Sequence, residues 1–261
     1  MLAAMAPEVL IPTSADEAAS LYGDGSGITI FGGGTILIPE IASGRLSPRR
    51  ALMLHASGLS GIERKGGVIR IGAATTIAAL ADGEVPKLLA ASAAHVADYE
   101  VRQSATVGGN LCAPAGRDFQ RGDLGAALIA LDARVRSAGA GGERTEPVED
   151  FLAGDRSGRL VLELEIDDAE RRTGAAGLRR RHAQSYAIAS VAVSERDGEL
   201  RVGVAGVGPT AVRCRSVESS RDPGHVLDDV EPVDDAVASA AYRRQVLPLL
   251  LRQALDRLEN E

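Results

Sequence analysis

The sequence predicts an α+β protein, on three observations. Strand-like and helix-like segments fall in groups along the 261 residues rather than in strict alternation. In the last third, two apolar runs flank Arg196–Asp197–Gly198, the signature of a β-hairpin. A long helical pattern, Val237–Leu258, closes the chain. The length suits one large domain or two modest ones. A polar, glycine-containing stretch from Asp167 to Gly177 marks the expected boundary.

The elements follow in order. Val9–Pro12 reads as a short strand. Ser14 and Glu17 have capping-box spacing and open a short helix that runs to Tyr22. Ile28–Phe31 is a buried strand running straight into Gly32–Gly34, and Thr35–Ile41 starts a helix. Ala51–Leu54 is a strand, as is Val68–Ile71 after a Gly66–Gly67 turn. Thr75 and Thr76 offer N-caps for Ile77–Leu80, and Leu88–Val96 is an alanine-rich helix. Val101–Val107 leads into a second glycine cluster. Asp123 is placed to cap a helix over Leu124–Leu131, in which Gly125 is the one breaker. Ala133–Ser137 is a strand and 137–142 a flexible turn. Leu160, Leu162, Leu164 and Ile166 alternate with Val161, Glu163 and Glu165, as in a half-buried strand. Ala187–Ser194 and Leu200–Val207 are the hairpin strands. Asp222–Asp235, acidic and proline-bearing, reads as a surface loop. Pro248 should kink or divide the last helix.

Composition narrows the function. Apolar residues make up 45% and charged residues 25%, as in an ordinary soluble protein. A net charge of -7 without a sustained basic run argues against a nucleic-acid partner. No apolar run approaches the roughly 20 residues of a membrane span. The first residues lack the basic n-region of a signal peptide, so a cytoplasmic location is expected. Two cysteines, Cys112 and Cys214, fall short of the four thiolates of an iron–sulfur cluster. Four scattered histidines make no zinc spacing, so no metal is expected on this chain.

The chemistry concentrates in two glycine clusters. The first is FGGGTILIP, Phe31 to Pro39, and the second is ATVGGNL, Ala105 to Leu111. Glycine lets main-chain N–H groups approach a phosphate with no Cβ in the way. Two such loops can hold the two ends of a long, doubly charged ligand, which points to a dinucleotide. The first loop has neither the Lys-Ser/Thr of a P-loop nor the last glycine of the Rossmann fingerprint. In the second, Thr106 offers a hydroxyl, Gly108 and Gly109 offer exposed amides, and Asn110 offers a side-chain amide. Asp118 and Asp123 could accept from ribose or ribityl hydroxyls. A plain turn at Gly108–Gly109 and a capping role alone for Asp123 are the plainer alternatives. A flavin ring would rest on backbone, on aliphatic groups, or on one of Tyr22, Tyr99, Tyr186, Tyr242, Phe31, Phe119 and Phe151.

These loops, and the segments around them, resemble the FAD-binding (medium) subunit of the molybdenum hydroxylases. That group contains bacterial carbon monoxide dehydrogenase and xanthine dehydrogenase. FGGGTILIP stands where the family has an AGGTDLL-type loop, and ATVGGNL where it has ATIGGNL. Asp123–Ala133 echoes its LPALLALDA helix. RIGAATTIAAL, PVEDFLAG, SYAIASVAV, GVGPTAVRC and AAYRRQVLPLLLRQAL follow in the family's order over nearly the whole chain. The resemblance implies a two-subdomain FAD-binding domain of the vanillyl-alcohol-oxidase (PCMH) type over residues 1–168, with subdomains of about 1–55 and 56–168. A C-terminal α+β domain with a small antiparallel sheet and helices would occupy 169–261.

Carried over, the FAD contacts are Phe31, Gly32, Gly33, Gly34, Thr35, Ile36 and Leu37, with Thr106, Gly108, Gly109 and Asn110 opposite. Asp123 matches an acidic residue on the flavin side. The segment from Asn110 to Asp123 is longer than usual, so Asp118 could take that role instead. Val161 falls near a position at the adenine or isoalloxazine edge, and Arg179 near a basic residue by the flavin. Ile36 replaces a residue that is often polar, and the family's cysteine-bearing insertion is missing. The implied role is electron relay, with no catalytic residue on this chain. A large partner subunit would carry the molybdenum cofactor and a small one the iron–sulfur clusters. NAD, oxygen or a quinone would be the terminal acceptor. Two other readings stay open: a stand-alone flavin oxidoreductase, using a residue such as Tyr186 or Glu195, and a flavin-free scaffold subunit, which Ile36 would permit.

Overall fold

A computed structural model describes residues 7–113, 122–181 and 186–260. Asp118 and Phe119 lie outside the described residues. Three sheets organise the chain.

The first sheet is parallel. Its elements are β1 (Glu8–Leu10), α1 (Ala15–Tyr22), β2 (Ile28–Phe31), α2 (Leu37–Ala42) and β3 (Arg50–Met53), with strand order β1-β3-β2. The Ser14 hydroxyl caps α1 by accepting from the Glu17 N–H. Glu17 does not complete the box at Ser14; its carboxylate accepts from the N–H and hydroxyl of Thr13, each at 2.7 Å. β2 ends at Phe31 and the chain turns at once into Gly32. α2 begins two residues later than Thr35 and buries none of its side chains.

The second sheet is antiparallel and carries most of the helices. Its elements are β4 (Ile62–Lys65), β5 (Val68–Gly72), α3 (Ile77–Asp82), α4 (Lys87–Ala94), α5 (Tyr99–Ser104), α6 (Val107–Leu111), α7 (Gly125–Ala130), β6 (Arg134–Gly139), β7 (Arg144–Pro147), α8 (Val148–Ala153) and β8 (Arg159–Asp167). The strand order is β4-β5-β8-β6-β7. Thr76 caps α3, whereas the Thr75 hydroxyl accepts from Gly61 N–H and donates to its carbonyl. Asp123 does not cap α7. Leu124 holds the cap position in a helical conformation with no side-chain bond. The N–H groups of Asp123 and Leu124 are instead taken by the Asn110 Oδ1, both at 3.1 Å. β8 is also more buried than alternation implied: Leu160 and Leu162 join the core beneath the first sheet, and Val161 joins the main core.

The third sheet holds β9 (Arg172–Arg179), β10 (Ala187–Arg196), β11 (Glu199–Ala205) and β12 (Val212–Arg213) in the order β12-β11-β10-β9. The hairpin turns at Asp197 and Gly198, whose φ values of 53° and 81° are what a two-residue turn of this hand requires. β9 takes most of the polar stretch read as a boundary, leaving 168–171 as the connection. α9 (Arg215–Ser220), α10 (Val226–Asp229) and α11 (Ala240–Glu259) complete the chain. The acidic 222–235 segment is not a plain loop: it contains α10 and buries Val226 and Val230. Pro248 does not divide α11, which runs for 20 residues.

α7 joins the second and third sheets. It packs on β10 and β11, where Gly203 gives it room; a Cβ there would lie 2.2 Å from the Ala126 carbonyl oxygen. The Ser194 hydroxyl donates to the Ala130 carbonyl at the end of the same helix.

Candidate functional site

A cavity of about 590 Å³ opens where β2 ends, α6 begins and β8 begins. One wall is the first glycine loop, Gly32 to Leu37. Ala105, Thr106, Gly108, Gly109, Asn110, Asp123 and Val161 also line the cavity. The two sequence loops therefore meet at one space. They touch directly: a Cβ on Gly33 would fall 1.7 Å from the Ser104 carbonyl oxygen and 2.9 Å from Ala105 Cα. Gly33 is glycine because another stretch of main chain occupies its side-chain position.

The two loops are not equivalent. Among the described residues, the amides of Gly33, Gly34, Thr35 and Ile36 donate to no backbone carbonyl. The second loop's amides are used within the protein. Gly108 N–H donates to the Ala73 carbonyl at 2.8 Å, Gly109 N–H to the Thr106 hydroxyl at 3.2 Å, and Asn110 N–H to the Thr106 carbonyl at 2.8 Å. The expectation of bare amides at Gly108 and Gly109 is thus corrected; the Ala73 carbonyl and the capping Thr106 hydroxyl take them. Asn110, nearly buried, spends its side-chain oxygen on the chain leading into α7 and so fixes Asp123 at the cavity wall. Burial raises the Asp123 carboxyl from 3.8 to about 6, and the Arg179 guanidinium pulls in the opposite direction.

Other sequence candidates fall elsewhere. Phe31 is buried behind the first loop, off the cavity wall. Arg179 lies in a neighbouring cleft, where it donates to the His95 carbonyl; it reaches the site only through its charge on Asp123. Glu195 lies off the wall, its carboxyl held below the usual range by Arg221 and by Arg172. Tyr186 is the aromatic side chain on the wall among the described residues.

Sequence reading missed one wall. The turn Gly154–Asp155–Arg156–Ser157, with Arg159 and Leu160 of β8, lines the cavity. Arg156 donates to the Leu111 carbonyl at the end of α6, at 3.1 Å. Arg159 is buried and bonds Ser137 and the Gly142 carbonyl. The signal was there in the Asp-Arg-Ser-Gly turn that follows α8. Ile30, Leu54, Val96 and Leu160 supply apolar surface. Amides free of backbone partners, a guanidinium, a carboxyl and apolar side chains suit FAD, with its diphosphate, its hydroxyls and its ring.

Residues 4–166 match a family model described as the FAD binding domain in molybdopterin dehydrogenase. The chain belongs to this family. FAD is accordingly its cofactor, and its kind is that of oxidoreductase components. The chain is 29% identical to 6-hydroxypseudooxynicotine dehydrogenase complex subunit alpha of Paenarthrobacter nicotinovorans, over 95% of this chain and 93% of that one. It is 25% identical to the carbon monoxide dehydrogenase medium chain of Hydrogenophaga pseudoflava, over 94% of each. The fold matches a solved carbon monoxide dehydrogenase from Hydrogenophaga pseudoflava with a TM-score of 0.84, covering 99% of both chains at 24% identity. The expected resemblance and fold class both stand on these matches.

Proposed function

We propose that this chain is the FAD-binding electron-transfer subunit of a multi-subunit molybdenum hydroxylase. It would pass electrons from iron–sulfur clusters on a small partner subunit to NAD, oxygen or a quinone, the molybdenum cofactor residing on a large one. One observation carries the reading: among the described residues, four consecutive residues whose amides donate to no backbone carbonyl, Gly33 to Ile36, line a cavity in a chain of a FAD-binding family. Bound FAD supplies the redox chemistry. The chain's own residues bind and orient. The amides of the first loop meet the diphosphate, flanked by Gly32 and Leu37, while buried Phe31 holds the loop from behind. Thr106 and the Gly108–Gly109 turn form the facing wall, built rigidly by their internal bonds. Asn110 positions Asp123, whose carboxyl accepts from a hydroxyl of the cofactor; Asp118 is its competitor for that role. Val161 packs against the ring, and Arg179 tunes Asp123 at a distance.

The relatives' names support the subunit reading, since they speak of a complex subunit and a medium chain. Two cysteines in 261 residues also leave iron–sulfur chemistry to another chain. The test is direct. The purified chain should be yellow, hold FAD stoichiometrically, and turn over no substrate unless its partners are present. Colourless protein that refuses added FAD would point to a scaffold, and turnover by the chain alone would point to a free-standing oxidoreductase.

A further inference from the structure

Among the described residues, one sheet edge stands apart. The edge strands β1, β2, β4, β7 and β12 are three, four, four, four and two residues long. β9, the remaining edge, is eight residues long. Long open edges are normally blunted by charges, proline or a covering element, because their unpaired main-chain groups template further strands. From Thr173 to Leu178 the sequence is TGAAGL, with neither charge nor proline.

The ladder says which groups are open. Cys214 N–H donates to the Val202 carbonyl, so Gly203 and Arg213 oppose each other without exchanging bonds. Gly203 therefore bonds towards β10, to its partner Ala192. Val191, one residue on, must bond towards β9, where it faces Ala176. Ala176 is thus bonded inward, and Ala175 and Gly177 turn their N–H and C=O groups out of the sheet. The Arg257 guanidinium, donating to the Ala175 carbonyl from the end of α11, fits that parity.

Among the described residues no strand pairs with this edge; α11 packs on the sheet face beside it, and Arg257 takes the Ala175 carbonyl. The edge lines a cleft of about 890 Å³ whose other walls include Ala91 on α4 and Ala126 and Ala127 on α7. Small side chains leave room for a backbone. Lys87, Arg179 and Arg257 stand around the cleft, against Asp123 and Asp256, so it is locally positive on a chain of net charge -7. Two copies paired antiparallel through this strand would set the Arg172 end of one against the Arg179 end of the other. Like charges opposed in this way disfavour a homodimer.

We propose that β9 receives an extended, acidic segment of a partner subunit as a fifth strand of the third sheet, by β-strand addition. This rests on the subunit reading above. Asp123 lines both this cleft and the FAD cavity, so the partner would be seated one side chain from the cofactor site.

Hydrogen exchange in the free chain and in the complex assembled with its partner subunits tests this. The Ala175 and Gly177 amides should exchange fast in the free chain and at least about tenfold more slowly in the complex. Ala175→Pro removes an outward N–H without breaking the β9–β10 ladder, a position where edge strands tolerate proline. It should keep FAD and weaken assembly about tenfold or more, as should Gly177→Pro. A complex that assembles with FAD bound but leaves both amides unprotected overturns this proposal alone. Protection that appears in a homodimer instead also overturns it. A yellow chain that assembles with no partner overturns the subunit reading as well.

Discussion

Gly33 has a steric role in the fold that its place in a glycine loop did not reveal. From sequence, glycine in this loop means access for a phosphate; in the fold, the missing side chain is where Ser104 and Ala105 sit. Gly33→Ala should therefore push two main-chain segments apart, costing roughly 1–3 kcal/mol as overpacking does, and release FAD. Gly109→Ala meets only the Thr106 hydroxyl, at 2.9 Å, and should keep most of it. FAD titration of both variants checks the order; equal loss would return the explanation to phosphate access. Asp123 gives a second residue-scale prediction. Its carboxyl titrates near 6 in the fold, against an ordinary 3.8. Between those values the folded chain holds a proton that the unfolded chain has lost, so stability falls as pH rises through this window. The favourable contribution is complete below about 3.8 and gone above about 6. In FAD-free protein, Asp123→Asn should flatten that slope and gain about 1–3 kcal/mol near neutral pH. Denaturation curves across this range would show it; parallel pH profiles for both proteins would refute a raised Asp123 carboxyl. Asp118 was equally legible as a carboxylate and lies outside the described residues, while the fold places Asp123 on the cavity wall.

Elements were legible where one local signal dominated. The bounds of the Ile28–Phe31 strand, the Ser14 cap and the Asp197–Gly198 hairpin stand as read, because apolar patterning and turn chemistry act over a few residues, although only Phe31 of that strand is buried. Misreadings came where distant groups decided. The α7 N-terminus is served by Asn110, 13 residues from Asp123, so no local cap was needed. The 222–235 segment looked like loop because it is acidic, yet Val226 and Val230 recur at helical spacing and are buried. α11 runs through Pro248, whose missing N–H deprives the Arg244 carbonyl; Arg244 is exposed, so water can take that bond. What ties α11 down is Arg243, fully buried, bonded to the carbonyls of Ile188, Val233 and Ala238 and to the Asp235 carboxylate. Arg243→Leu removes the guanidinium from the Asp235 carboxylate, leaving it only the Val237 and Ala238 N–H groups, and should cost roughly 3–5 kcal/mol. Asp235→Ala should cost a comparable amount, and the double variant less than the sum. Strict additivity in a denaturation cycle would show that the pair is not coupled.

At the scale of the whole molecule, the sequence reading of two domains meets a helix that belongs to both. α7 is buried in the core of the second sheet, and its other side is covered by β10 and β11. Ala192 and Ala205 from the third sheet belong to that same core. Cutting the chain near residue 168 would strip this cover from α7, at whose entrance Asn110 holds Asp123 against the cofactor cavity. The halves should then unfold together. Urea transitions followed by far-ultraviolet circular dichroism and by flavin release should coincide, as two-state behaviour demands. Gly203→Val, which drives a side chain into the Ala126 carbonyl, should lower both midpoints in parallel. If flavin were released well before or after the C-terminal sheet melted, α7 would be a contact between independent domains rather than their common core. The variant would then lower one transition and leave the other in place.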